Sequence, residues 1–187
     1  TSEGTKYTDL ILSIVAKTVA EERSSESECR KALSLYMTLL HNCKGKIDPY
    51  ISVINDISLA KLGQQVSAEI PLTRISIYQV LGSSLFYNPV LQLTEFEKRG
   101  VTQQVFQQWI TDLEKIDRWL PRKLTVLGLA AILQIPTASL PPNVAALLPT
   151  LLSNAVKVAL LIKEDEERIY DDYFDGGEDV EVSPEDD

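Results

Sequence analysis

The sequence is short of the side chains that most chemistry needs. One histidine and two cysteines are too few soft ligands for a structural zinc site, which usually takes four, and they exclude a disulfide scaffold. Cysteine–histidine or serine–histidine catalysis would have to run through His41 alone. No Gly-rich loop of the kind that cradles phosphate is present, and no P-loop. Apolar runs fall short of the roughly 20 residues that span a bilayer, and residues Thr1 to Thr8 lack the basic and apolar stretches of a secretory signal. The net charge of −9 argues against nucleic-acid binding, which usually relies on a basic face. The single methionine is Met37, so the chain reads as an excised piece of something longer or as a processed form. Cys29 and Cys43 fall on one expected helix and read as free thiols of a reducing compartment.

What the sequence does contain is apolar material with helical spacing. Hydrophobic residues make up 44% of the 187, enough for a sizeable core. The charge is unevenly spread. Between Glu164 and Asp187 there are 13 acids and one base, Arg168; residues 1–163 hold 14 acids and 17 bases, a net +3. A mildly basic body therefore carries a strongly acidic C-terminal segment.

Apolar residues recur at i, i+3, i+4 and i+7 nearly throughout. Tyr7, Leu10, Ile11, Ile14, Val15 and Val19 form one stripe; Ala32, Leu33, Tyr36, Leu39, Leu40 and Cys43 form the next. Lys44-Gly45-Lys46 closes that helix, and Asp48-Pro49 opens another with a cap residue and a proline at its first position. Pro71, Asn88-Pro89 and Pro121 mark further starts, and Gly100 marks an end. The stretch Leu124–Leu133 is apolar nearly all round and must be buried on most sides. No segment alternates in the manner of a strand bounded by hairpin turns.

Helix starts near 7, 28, 47, 71, 102, 121 and 143 give a repeat of about 40–55 residues between alternate helices, with the longer gaps straddling Pro89–Gly100. Helix pairs repeating at roughly 40–47 residues are the signature of HEAT or armadillo arrays. The expected architecture is an all-α HEAT-type solenoid fragment over residues 1–163. Its pairs run about 7–43, 47–87 and 89–134, with a last helix at 143–163. The acidic segment 164–187 is expected to be largely disordered, because like charges repel. A compact all-α bundle is the alternative.

Three stretches then carry a family resemblance. His41-Asn42-Cys43-Lys44-Gly45-Lys46-Ile47-Asp48 resembles the "QCKG…ID" helix junction of karyopherins in the importin-seven/importin-eight branch of the importin-β superfamily. Ser84-Leu85-Phe86-Tyr87-Asn88-Pro89 resembles that branch's "ALYYNP" segment. Gln108-Trp109-Ile110 with Arg122-Lys123-Leu124-Thr125-Val126-Leu127-Gly128-Leu129-Ala130-Ala131-Ile132 is similar to its "QWL…DRKMCVLGLCALI" stretch. The order is the same, an acidic segment follows in the same place, and the likeness covers about residues 33–187. Pro121 and the Pro-rich loop 136–142 depart from it.

The resemblance implies a nuclear transport receptor that shuttles between cytoplasm and nucleus through the nuclear pore. It implies binding to the GTP form of Ran, to Phe-Gly repeats of nucleoporins and to basic protein cargo such as histones or ribosomal proteins, in some cases jointly with importin-β. The main Ran contact of that superfamily lies in N-terminal repeats, so this piece is expected to lack it.

Partner binding is expected from the acidic segment, at Asp165, Glu166, Glu167, Tyr170, Asp171, Asp172, Tyr173, Phe174, Glu178 and Asp179. Charge there would attract a Lys/Arg-rich cargo, or cover a basic face until cargo displaces it. Ser183, before Pro184 and acids, is a candidate phosphorylation site. The carboxylate pairs Glu21-Glu22 and Asp171-Asp172 fall on a polar break and in an expected coil, where acid–base catalysis lacks a pre-organised site. Trp109 reads as core and Trp119 as partly exposed; His41 reads as a helix-end residue. No catalytic, cofactor or metal residue is assigned. The competing reading is an acidic-tailed helical chaperone for histones or ribosomal proteins.

Overall fold

A computed structural model describes the backbone over residues 2–64 and 71–175 and the side chains over residues 7–64 and 71–168. Eight α-helices follow one another: α1 (Ser2–Ala20), α2 (Glu26–Asn42), α3 (Ile51–Gln64), α4 (Leu72–Tyr87), α5 (Pro89–Lys98), α6 (Thr102–Leu113), α7 (Trp119–Leu133) and α8 (Pro142–Asp175). No strand occurs among the described residues. The fold is an all-α, HEAT-like helical array.

The helices form two layers. In one, α2, α4 and α7 lie side by side; in the other, α1, α3, α5, α6 and α8 follow in order, each touching the next. Contacts of α1 with α2, α3 with α4, and α7 with α8 join the layers. The core is the seam between them, with Leu33, Tyr36, Ile54, Ile77, Tyr78, Leu81, Phe96, Phe106, Trp109 and Ile132 almost wholly enclosed. The largest aromatic side chains gather there: Trp109 stacks on Tyr78, with ring centroids 5.3 Å apart, and Phe106 meets Phe96 edge-on at 6.1 Å.

Local chemistry explains the helix ends. Ser25 starts α2 through a capping box, its backbone N–H donating to Glu28 Oε2 at 2.8 Å while Glu28 N–H donates to Ser25 Oγ at 3.3 Å. The bond from the Ser25 backbone N–H, with one from the Ser25 hydroxyl at 2.8 Å, holds the Glu28 carboxyl below its ordinary range. Asn88 caps α5 by accepting from Leu91 N–H at 3.1 Å. Gly100, at φ +63°, turns the chain between α5 and α6, a conformation that costs other residues strain. So the third pair has two short helices, α5 and α6, where the first two have one. Helix α7 begins at Trp119, two residues before the proline expected to open it; Pro121 sits in the first turn, where its missing N–H costs nothing.

The resembling motifs are joints of this array. Tyr87 donates its hydroxyl proton to Asp48 Oδ1 and accepts from Ile47 N–H at 3.4 Å, so the second motif locks onto the first. Gly82 of α4 and Gly128 of α7, the latter in the third motif, meet backbone to backbone. A Cβ at Gly82 would lie 2.7 Å from Leu124 O, and one at Gly128 2.8 Å from Gly82 O. Between α3 and α5 the buried amides of Asn55 and Gln92 exchange two hydrogen bonds, at 3.2 and 2.7 Å.

Helix α8 departs from expectation twice. It continues to Asp175 instead of ending at 163, so residues 164–175 are helical, including the Asp171-Asp172 pair expected in coil. Part of the reason is local pairing: Arg168 reaches Asp165 at 2.8 Å and Lys163 reaches Glu167 at 3.4 Å, which offsets repulsion along the acidic turns. Secondly, between Pro142 and Arg168 it is long and apolar enough to cross a bilayer on length and composition alone, contrary to the reading of the apolar runs. Val144, Leu151, Ala155 and Val158 are nevertheless buried in the common core, while Leu152, Val156 and Leu160 face outward. That one-sided burial is the pattern of an amphipathic helix packed on an array.

Replacing Gly82 with Ala should lower the unfolding free energy by about 1–3 kcal/mol, because backbone atoms cannot yield to the added methyl. Gly63→Ala, where nothing lies within 4 Å, should be neutral or stabilising by up to about 1 kcal/mol. Urea titrations of both variants check this. Glu95, 93% buried and paired with Lys98 and Arg99 at 2.7 and 2.6 Å, has its carboxyl held down at about 2 by those hydrogen bonds. Its folded pKa is below its unfolded value, so its contribution is complete above about pH 5 and fades as pH falls toward 2. Glu95→Gln should therefore cost stability at pH 7, with the gap to the parent narrowing as unfolding is measured at successively lower pH.

Candidate partner-binding surface

The surface of interest is built where the end of α8 crosses the start of α7. Helix α7 has no side-chain cap at Arg118, and its first turn carries Arg118, Trp119, Arg122 and Lys123 in close order. Arg122 is the clamp. Its Nε donates to Ile116 O at 2.7 Å, tying down the α6–α7 turn, and its Nη1 donates to Asp165 Oδ2 of α8. Both members are mostly buried, with side chains 12% and 19% exposed. A part-buried pair of this kind is screened less by salt than a surface pair. Trp119 sits at the rim, 38% exposed, with Lys123 Nζ 4.5 Å from its ring centroid and its Nε1 donating to Glu166 Oε1 at 3.4 Å. About two turns earlier on α8, Lys157 pairs with Glu114, just past the end of α6, and pulls that carboxyl below its ordinary range.

The structure thus assigns three of the expected binding residues to contacts within the molecule. Asp165 is held by Arg122 and Arg168, Glu166 by Trp119, and Glu167 by Lys163. Tyr170, Asp171, Asp172, Tyr173 and Phe174 lie on the last turns of α8, with side chains outside those described. Glu178, Asp179 and Ser183 lie outside the described residues altogether. Sequence reasoning named the acids without their counterpart: Arg122 is 43 positions from Asp165, and only the repeat spacing of the array hints that they meet.

Other candidates resolve into packing. His41 Nε2 lies 3.1 Å from Ser83 Oγ, but Ser83 is wholly enclosed inside α4, where no substrate reaches it. Asp112, 1% exposed, accepts on Oδ2 from Tyr78 OH at 2.6 Å, Gln108 Nε2 at 3.2 Å and Arg74 Nη1 at 3.3 Å, and so bolts α6 to α4. Burial and that carboxylate push the Tyr78 hydroxyl far above its ordinary range, which keeps it a donor. A cavity of about 220 Å³ opens beside Arg74, between Leu59, Leu62, Val101 and Val105. Trp109 is core, as expected, at 2% exposure. Among the described residues no group of His, Cys, Asp and Glu is placed to hold a metal ion.

No family model matches the chain, and no solved structure matches it. Curated relatives do, among them the following three. "Importin-8" of Danio rerio is 28% identical over 158 residues, covering 79% of this chain and 15% of its own length. "Importin-8" of Mus musculus is 26% identical over 167 residues, covering 85% and 16%. "Importin beta-like SAD2 homolog" of Arabidopsis thaliana is 23% identical over 147 residues, covering 74% and 14%. The chain therefore spans about one-seventh of the length of the relatives it matches.

Replacing Asp165 with Asn should release the end of α8. Amide exchange should speed up from about Lys163 onward while α4 and α7 stay protected, a pattern read by hydrogen–deuterium exchange with mass spectrometry.

Proposed function

We infer that this chain, a relative of the importin-β family, is a segment of a nuclear transport receptor that binds protein cargo through its acidic C-terminal helix and the residues after it. The likeness to importins across most of the chain is the observation that carries the reading, and the HEAT-like array supports it. Such arrays offer long surfaces built from successive helix pairs and act by docking. The proposed role is binding, not catalysis.

The cargo we propose is basic. The acids from Glu164 to Asp187 outnumber bases 13 to one, and among the described residues Asp165 and Glu167 are the members ion-paired inside the molecule. Histones and ribosomal proteins have the matching composition. In the full-length receptor, transit would rest on Phe-Gly nucleoporins, release on Ran-GTP, and some cargo on joint carriage with importin-β, with the protein shuttling between cytoplasm and nucleus. A phosphate on Ser183 would deepen the negative charge by about 1.5 to 2 units.

The test is a set of charge-neutral variants in the full-length receptor. Gln and Asn in place of Asp171, Asp172, Glu178 and Asp179 should weaken binding of a lysine-rich histone tail about tenfold or more at low salt and flatten its salt dependence. Unchanged affinity at low salt overturns the proposed cargo role of the segment. Retained histone binding with no retention on immobilised Phe-Gly repeats would instead favour an acidic-tailed chaperone.

A further inference from the structure

A shallow groove of about 190 Å³ runs between α2, α4 and α7, close to the crossing of α7 and α8. Arg30 and Arg118 stand on its walls, Ser76 and Gln79 add polar groups, and Ile75 and Leu120 give it apolar area. Neither guanidinium has a hydrogen bond or ion pair among the described residues, although Asp165, Glu166 and Glu167 nearby are paired. Two unpaired guanidiniums facing one groove suit a carboxylate-bearing strand, which they can grip in the bidentate manner.

We propose that this groove holds the chain's own residues 176–187, so that the acidic segment docks in cis against Arg30 and Arg118 and must be drawn off before it can engage a basic partner. Three observations argue for this occupant. Residues 176–187 carry six acids and no base, with Val180 and Val182 between them, matching the mixed charge and apolar character of the groove. Helix α8 delivers them to the right place, since Glu166 already touches Trp119, the chain neighbour of Arg118. The reach suffices: α8 advances about 15 Å from Asp165 to Asp175, and twelve extended residues span up to about 40 Å, more than enough to turn back to the groove. The docking deepens the functional reading above, because it makes cargo and groove compete for the same acids.

The experiment uses the full chain and a fluorescent peptide with the sequence of residues 176–187. In the parent chain the peptide should bind weakly, because the covalent segment already occupies the groove at high effective concentration. In a chain whose own acids at 178, 179, 181 and 185–187 are changed to Gln or Asn, the peptide should bind at least about tenfold more tightly. Adding Arg30→Gln and Arg118→Gln to that chain should abolish the gain; both residues are surface-accessible and unpaired, and a circular-dichroism melt confirms that the fold is kept. Equal binding to parent and neutralised chains, or binding that survives loss of both arginines, overturns the proposal. A histone-tail peptide read in parallel separates the two ideas. If it needs the acids while the acidic peptide ignores the groove, self-docking fails and the cargo reading stands. If the acidic peptide fills the groove while histone binding ignores the acids, self-docking stands and the cargo reading fails.

Discussion

The backbone contact between α4 and α7 at Gly82 and Gly128 sets the spacing on which the array depends. Carbonyl and Cα atoms approach too closely there for any side chain, so the two helices lie nearer than ordinary packing allows. That proximity lets Trp109 of α6 lie flat on Tyr78 and lets Asp112 reach two donors on α4, Arg74 and Tyr78. It also makes α4 the most enclosed helix, with even Ser76, Ser83 and Ser84 out of solvent. Close approach, aromatic stacking and a buried carboxylate thus form one unit at the centre. The outer helices α1 and α8 keep exposed apolar stripes, at Tyr7, Leu10 and Ile14 and at Leu152, Val156 and Leu160.

Much of the fold was legible in the sequence because each helix announces itself locally. Asn88-Pro89 and Gly100 mark boundaries by local chemistry, and the all-round apolar stretch in α7 could only be a core element; Asp48, read as a cap, instead makes no cap and lies with Pro49 in a short 3-10 turn ahead of α3. What could not be read was anything depending on partners far along the chain. The extension of α8 to Asp175 rests in part on Arg122, and like-charge repulsion within 164–175 gave the opposite expectation. The membrane-length character of α8 was missed for a related reason. Asn143, Thr150, Ser153, Asn154 and Lys157 interrupt every apolar run, yet a window average remains strongly apolar.

The candidate site was half legible. A block of acids is visible in any composition plot, and it was marked as the binding element. Its engagement with α7 was not visible, since Arg122 and Lys123 were noted only as parts of a family motif, Trp119 only as partly exposed, and Arg118 not at all. The same holds for the other resembling strings. Tyr87 and Asp48, or Gly82 and Gly128, explain themselves once their helices are side by side, as fasteners between neighbours and not as groups that touch a ligand.

The side-chain hydrogen bonds that link one helix pair to the next join residues 34 to 47 positions apart: Tyr78 to Asp112 at the short end, Arg99 to Ser52 and Trp119 to Glu166 at the long end. Nothing ties the first pair directly to the last among these bonds. A mechanical load along such a stack is passed from joint to joint, so its compliance is the sum of many small, independent yields. The molecule should therefore flex and twist like a spring, easing around objects of different girth while each local seam stays shut.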